Sequence, residues 1–115
     1  MFTRLQPVLG VADLAAEVAF YRALGFEVTH EEQDFVGLVH GAILFGLQTG
    51  KPAQRESLVW QIGSADVHAV HALACEQGLD VVEGPKLQEW GEWTLRLATP
   101  GGYELVVEGE AGASS

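Results

Sequence analysis

The chain has 115 residues, 48% hydrophobic and 19% charged, a composition typical of one globular domain rather than of a disordered segment. Its formal net charge of −10 makes nucleic acid an unfavourable partner, because positive charge is what binds phosphate groups. The single cysteine, Cys75, excludes an internal disulfide bond. Since there is also no signal-peptide pattern and no run of the ~20 apolar residues that a membrane span needs, we expect a cytoplasmic protein without membrane contact.

The predicted elements follow one another in the same order twice. Alternating and continuous apolar stretches predict strands, and two longer segments that begin after an aspartate predict helices. Asp13 and Asp66 stand where helix N-caps belong, and Gly25 and Gly78 stand just beyond the helix ends, where a left-handed backbone is common. The predicted elements are a strand in 4–11, a helix over 14–24, strands over 27–32, 35–40 and 42–48, a strand in 57–63, a helix over 67–77, and strands over 80–87, 93–98 and 103–108.

This order reflects an internal repeat. When Gly10 is aligned with Gly63, the residues that match without gaps are Gly10, Ala12, Asp13, Ala16, Ala19, Gly25 and Val28 in the first copy and Gly63, Ala65, Asp66, Ala69, Ala72, Gly78 and Val81 in the second. Two copies indicate a duplicated module rather than a solenoid. We therefore predict an α+β domain over 1–115 that contains two βαβββ modules with curved mixed sheets. Module 1 covers about 2–48, a linker 49–56, module 2 about 57–108, and a tail 109–115.

The segment PVLGVADLAAEVAFYRALGF resembles the opening of the vicinal oxygen chelate superfamily, which comprises glyoxalases, bleomycin resistance proteins and dioxygenases. Its most specific part is FYxxLGF, present here at residues 20–26. Residues 31–47 and 89–107 resemble the bleomycin-binding members. The resemblance implies two βαβββ modules around a ligand cleft, and a homodimer. Pro7 matches a proline of those members, in which the N-terminal strand is exchanged between subunits, although an ordinary edge strand would also accept this proline.

Metalloenzymes of this superfamily place histidine or carboxylate ligands at three inward-facing strand positions, to which Gln6, Ser57 or Val59, and Val106 correspond here. These side chains do not form a site for a divalent metal, which requires several nitrogen, sulfur or carboxylate ligands. Glu104 lies two residues before the last position, on the same strand face, so a shifted metal site remains an alternative. The pattern otherwise argues against metal-dependent activity, and we expect no cofactor.

The second predicted helix carries another group of possible ligands. His68, His71 and Cys75 share one helix face by their spacing, so a zinc site is conceivable there. An outward, solvated face of a surface helix is the simpler interpretation. The sequence contains no catalytic triad, phosphate-binding glycine loop or nucleotide fingerprint, so we expect no catalytic residues.

The remaining signal is aromatic and acidic. By resemblance, Phe35, Trp60 and Trp90 match aromatic positions of the ligand cleft, although a core position suits Trp60 equally well because the fifth strand also supplies core. Trp93 begins an alternating strand and is expected in the core. Several carboxylates lie close to these aromatic residues in the sequence: Glu31, Glu32, Asp34, Glu56, Glu89 and Glu92. Aromatic faces stack on planar groups and attract cations, and carboxylates favour positive charge. The predicted ligand-binding residues are Phe35, Trp60, Trp90, Glu32, Asp34 and Glu92.

Three hypotheses follow for the function. The first is a binding protein that sequesters an aromatic, cationic compound of the bleomycin type without metal and without converting it. The second is a superfamily enzyme with an atypical site, either metal-free or with a metal held through Glu104. The third is a protein interaction module. Metal that survives dialysis, or turnover of a compound, would favour the second over the first.

Overall fold

Each half of the chain folds as a strand, a helix and three further strands, as the internal repeat predicts. The computed structural model describes residues 1–50 and 58–110, and the chain divides into two units, Met1–Ala53 and Gln54–Ser115. The elements are β1 (Val8–Val11), α1 (Leu14–Ala23), β2 (Glu27–Glu31), β3 (Phe35–His40), β4 (Ile43–Thr49), β5 (Trp60–Gly63), α2 (Val67–Glu76), β6 (Asp80–Leu87), β7 (Glu92–Ala98) and β8 (Glu104–Glu110). Neither of these helices has the length and apolar character to span a membrane.

Both helices begin and end as their sequences predict. The Asp13 carboxylate accepts a hydrogen bond from the Ala16 backbone N–H at 3.1 Å, and Asp66 does the same for Ala69 at 3.0 Å. These contacts satisfy N–H groups that have no partner inside the helix. Just beyond the helix ends, Gly25 and Gly78 adopt φ angles of +100° and +70°, which a residue with a Cβ rarely takes.

In the first unit the strand order is β1-β4-β3-β2, with β1 parallel to β4 and the other pairs antiparallel. Helix α1 covers one face of this sheet. Tyr21 is fully buried there, and its ring meets the rings of Phe20, Phe26 and Phe45 edge-on at centroid distances of 5.0, 5.8 and 4.8 Å. Through this aromatic cluster, Phe20 and Tyr21 pack the helix onto the sheet.

The second unit repeats the topology with the order β5-β8-β7-β6, in which β5 is parallel to β8. Its helix covers the face that carries Leu95, Leu97, Leu105 and Val107, all almost completely buried. The alternation predicted for the strand that begins at Trp93 therefore gives one buried face, and β8 alternates in the same way. We call the opposite sheet face of each unit its open face, since no helix of that unit packs on it.

The observed strands differ from the predicted ones mainly at their ends. Strand β4 continues through Thr49 and β8 through Glu110, because their backbones remain paired with β1 and β7. Residues 51–56 of the predicted linker, which include Glu56, lie outside the described residues, as do Ser57 of the predicted second module and residues 111–115 of the predicted tail. The two parallel pairs arise because the last strand of each unit lies beside its first strand.

Candidate ligand-binding site

The ring of Phe35 lies on the open face of the first unit, directly over Gly46. A Cβ atom built on Gly46 would stand 2.6 Å from Phe35 Cζ and 3.4 Å from Val8 Cγ2. Strand pairing explains this contact, since Phe35 faces Gln48 across the β3–β4 ladder and Gly46 is its diagonal neighbour. The glycine thus provides the space in which the aromatic ring rests on the sheet.

Ionisable side chains lie near this ring. A bulge in β2 shifts the register after Val28, so that His30 pairs with Gly37 on the open face. The His30 ring centroid lies 6.2 Å from that of Phe35, and its Nε2 lies 3.0 Å from Glu32 Oε1. Glu32 and Asp34 are exposed in the β2–β3 turn, where Glu32 N–H donates to the Phe35 carbonyl at 2.8 Å. Phe35, Glu32 and Asp34 therefore lie together, with His30 beside them.

In the second unit, Trp90 lies in the turn between β6 and β7 with 64% of its surface exposed. The turn is closed by Gln88 N–H donating to the Glu92 carbonyl at 2.8 Å and by Gly91 at a φ of +95°. Glu92 begins β7 and pairs with Glu110. An indole held this far into solvent contributes little to the core of its own unit, and it can contact a ligand or a partner.

The half-buried Trp60 lies elsewhere on the same sheet. It pairs with Leu105, which in turn pairs with Leu97, whereas the turn of Trp90 adjoins the Glu92–Glu110 pair. Positions 97 and 92 of β7 are five residues apart, about 17 Å at ~3.4 Å per residue. The two tryptophans are thus at opposite ends of the sheet, and the second unit does not bring them together.

Trp93 packs on the helix-covered face, as expected from its alternation with Leu95. Its ring meets the His68 ring edge-on at a centroid distance of 4.6 Å. The interpretation of the α2 histidine face as an outward, solvated face is therefore wrong for His68, because its neighbour Val67 is fully buried and turns this side of the helix toward the sheet. His71 Nε2 lies 3.5 Å from the Sγ of exposed Cys75.

The open-face positions that would hold a metal in this superfamily do not fit one. Val59 and Val106 offer only methyl groups, Gln6 offers an amide, and Ser57 lies outside the described residues. Glu104 shares the open face with Val106, but its Oε1 accepts a hydrogen bond from Arg96 Nε in an ion pair. Within residues 1–50 and 58–110, no group of three or more histidine, cysteine or acidic side chains is arranged to bind a metal ion.

This ion pair lies in the wall of a cavity of about 310 Å³ at the start of β5. The lining residues are Leu58, Val59, Trp60, Arg96, Tyr103, Glu104 and Val106. Of these, sequence analysis selected Trp60 for ligand binding and considered Val59, Glu104 and Val106 only as possible metal positions. The Arg96–Glu104 pair could have been predicted from the sequence, because a hairpin about Pro100-Gly101-Gly102 brings these two residues to the same face of neighbouring strands.

The electrostatics of the pair follow from its geometry. The side-chain hydrogen bond with Glu104, and then the negative charge of Glu104, raise the pKa of Arg96 above its ordinary value; partial desolvation opposes this shift and the charge of Glu83 adds to it. The guanidinium thus remains charged, and the pair as a whole is neutral. The cavity presents a donor and an acceptor side by side among apolar and aromatic side chains.

Comparison with known proteins relates this architecture to one family. The family model of the glyoxalase/bleomycin resistance protein/dioxygenase superfamily matches residues 4–107, and none of the curated proteins compared with the chain matches it.

Similar solved structures include a bleomycin resistance determinant encoded on transposon Tn5, with 19% identity over 95% of this chain and 98% of that chain at a TM-score of 0.75. A bleomycin-binding protein complexed with bleomycin is 20% identical over 95% of this chain and 99% of that one, also at 0.75. A lactoylglutathione lyase from Agrobacterium tumefaciens is 17% identical over 93% and 92%, at 0.76. At these identities the likeness shows a common fold. From the family match over residues 4–107, the chain belongs to the glyoxalase/bleomycin resistance protein/dioxygenase superfamily.

Proposed function

We propose that this protein binds an aromatic, cationic small molecule of the bleomycin type and sequesters it without metal and without chemical conversion. The observation that carries the proposal is the Phe35 ring lying over Gly46, with the carboxylates of Glu32 and Asp34 in the adjoining turn. A flat aromatic surface favours stacking and attracts cations, and nearby carboxylates add to that attraction. Capture requires affinity but no complementarity to a transition state.

The side chains at the possible metal-ligand positions favour capture over metal-assisted chemistry. Val59 and Val106 occupy positions where superfamily metalloenzymes carry ligands, and the carboxylate of Glu104 is engaged by Arg96. A metal bound through Glu104 would have to displace the guanidinium and would find methyl groups beside it. The alternative function, an enzyme with an atypical site, draws its support from the similarity to a lactoylglutathione lyase.

In the second unit, we assign ligand contacts to Trp90, Glu92 and Trp60. The exposed indole of Trp90 and the neighbouring carboxylate of Glu92 repeat the combination of an aromatic ring with negative charge. Trp60 would contact a different part of the ligand, because it lies at the other end of the sheet. The names of two similar structures, a bleomycin resistance determinant and a bleomycin-binding protein, agree with this ligand class.

The proposal includes a homodimer with an N-terminal arm that contacts the second subunit. Phe2 and Leu5 are 93% and 83% exposed, which is unfavourable for large apolar side chains in an isolated chain. Pro7 follows them, and its carbonyl accepts a hydrogen bond from Gly46 N–H at 2.8 Å, although proline itself cannot donate to the ladder. The single reduced cysteine agrees with a cytoplasmic location.

Titration of tryptophan fluorescence tests the proposal. The metal-stripped protein is titrated with metal-free bleomycin in the presence of a chelator, and saturable quenching near one ligand per chain is expected. The Trp90→Ala variant is expected to lose most of the quenching, and Phe35→Ala to bind about tenfold more weakly. Unchanged fluorescence of the wild-type protein, together with no heat of binding by calorimetry, would reject bleomycin as the ligand.

A further inference from the structure

The proposed capture of a positively charged ligand makes no use of the ion pair in the wall of the cavity at the start of β5. We propose that this cavity is a recognition site for a planar, uncharged group whose edge carries a hydrogen-bond donor beside an acceptor, such as a carboxamide or a lactam. The inference rests on the proposed function, since Trp60 belongs to both, and it adds a second chemical requirement for the ligand.

The shape and lining of the cavity suit such a group. Its volume of about 310 Å³ is at the lower end of the range for small-molecule sites, so it accommodates one ring and a substituent rather than a whole antibiotic. Val59, 77% exposed, and Val106 give apolar contacts on the open face, and Trp60 lines the cavity from the side of the sheet that carries its pairing partner Leu105. Polar recognition in this wall comes from Arg96 and Glu104.

The ion pair sets the chemistry of recognition. Within residues 1–50 and 58–110, its contact uses Arg96 Nε and Glu104 Oε1, which leaves the guanidinium Nη groups as donors and Oε2 as an acceptor for this edge. A carboxamide matches both, because its carbonyl accepts from the guanidinium and its N–H donates to the carboxylate. Hydrogen bonds to charged groups are stronger than those between neutral groups.

Charged ligands are disfavoured at the same place. A carboxylate would accept from Arg96 but would be repelled by Glu104 and by Glu83, whose charge also acts on Arg96. A cation would be attracted by Glu104 and Glu83 but repelled by Arg96, and it offers no acceptor to the guanidinium. Neither charged group offers both an acceptor to the guanidinium and a donor to the carboxylate, whereas a neutral amide does so beside the existing pair.

Three probes of nearly identical shape test this selectivity: benzamide, benzoate and benzamidinium. The full-length ¹⁵N-labelled protein is titrated with each probe to millimolar concentration, and amide shifts of Val59, Trp60 and Val106 report on the cavity. Saturable shifts with benzamide, at a Kd about fivefold lower than for either charged probe, are expected. Tighter binding of benzamidinium or benzoate, or no shift of these amides with any probe, would overturn the inference.

Two variants connect the selectivity with the ion pair. Arg96→Met is expected to remove the preference for benzamide. Since loss of the pair could unfold the sheet, the reversed double variant Arg96→Glu with Glu104→Arg provides a second test, because it keeps a donor beside an acceptor and should retain the preference. A preference that persists in folded Arg96→Met contradicts the inference. Benzamidinium shifts at Phe35 and Gly46 report separately on the proposed cation-binding surface, so either proposal can fail without the other.

Discussion

Phe35 and Gly46 form an aromatic surface that depends on the absence of a side chain. The ring crosses the open face of its sheet at the position where any Cβ on residue 46 would stand 2.6 Å from Cζ and 2.7 Å from Cε2. Real Cβ atoms do not approach other atoms so closely, so the ring can lie there only above a glycine. This relationship fixes the orientation of Phe35 on which the proposed ligand contact rests.

Gly46→Ala is therefore expected to displace the Phe35 ring. Because the clash falls on the outer end of a side chain, the ring can turn away, and the free energy of unfolding should fall by only about 1 kcal/mol. Affinity for an aromatic cation should fall roughly tenfold, as stacking and cation–π contacts are lost. Chemical denaturation and calorimetric titration measure the two effects. Gly50→Ala is the matched control, since no atom of the described residues lies within 4 Å of its Cβ position.

Trp90 and Trp93 are three residues apart, but their replacement by alanine should affect different properties: stability for Trp93 and ligand binding for Trp90. Trp93 packs on His68, so Trp93→Ala should reduce the free energy of unfolding by about 2 kcal/mol, less than for a fully buried tryptophan. Trp90→Ala should change it by no more than about 0.5 kcal/mol, because the indole is 64% exposed, yet it should weaken ligand binding. Urea unfolding followed by circular dichroism distinguishes the two residues, and a large loss for Trp90→Ala would assign it to the core.

The two N-cap aspartates should contribute equally to stability. Asp13 and Asp66 accept equivalent hydrogen bonds at 3.1 and 3.0 Å, so each replacement by alanine should cost about 1 kcal/mol. Replacement by asparagine, which retains an acceptor oxygen, should restore most of this loss. If alanine at either position left the unfolding midpoint unchanged, that cap would have no energetic role.

The contribution of Arg96 to the free energy of unfolding should not depend on pH between pH 6 and 9. Glu104 raises the pKa of Arg96 in the folded protein, so the stabilising effect is fully present below the pKa of Arg96 in the unfolded chain and is lost only as pH rises through the higher pKa of the folded state, far above this range. The stability difference between wild type and Arg96→Met, obtained by urea unfolding at several pH values, should be constant in this range. A difference that changed between pH 6 and 9 would mean that another titrating group controls the pair.

The sequence predicted the order of elements because the signals for them are local. Asp13 and Asp66 mark helix starts, Gly25 and Gly78 mark helix ends, and alternation in 93–98 marks a strand with one buried face. Each of these depends on residues within one turn or one strand. Because of the duplication, the same pattern occurs a second time in the sequence, and this repetition made the two-module architecture predictable.

The composition of the candidate site was less predictable because it depends on register and strand order. The bulge after Val28 brings His30 beside Phe35, and no glycine or proline in this strand indicates the bulge in the sequence. The separation of Trp60 from Trp90 follows from the order of strands in the sheet, which the position of either residue in the sequence does not reveal. Helical spacing likewise showed that His68 and His71 share a face, but not that His68 points toward Trp93.

Capture without conversion is the central claim, and recovery of the bound compound tests it most directly. Metal-stripped protein is mixed with an equimolar amount and, separately, with an excess of metal-free bleomycin in a chelating buffer, filtered to separate bound from free compound, and denatured. Mass spectrometry should find one unmodified compound retained per chain at saturation and no new product in the filtrate. A compound that passes the filter entirely, or a product that accumulates beyond one equivalent, would contradict the account.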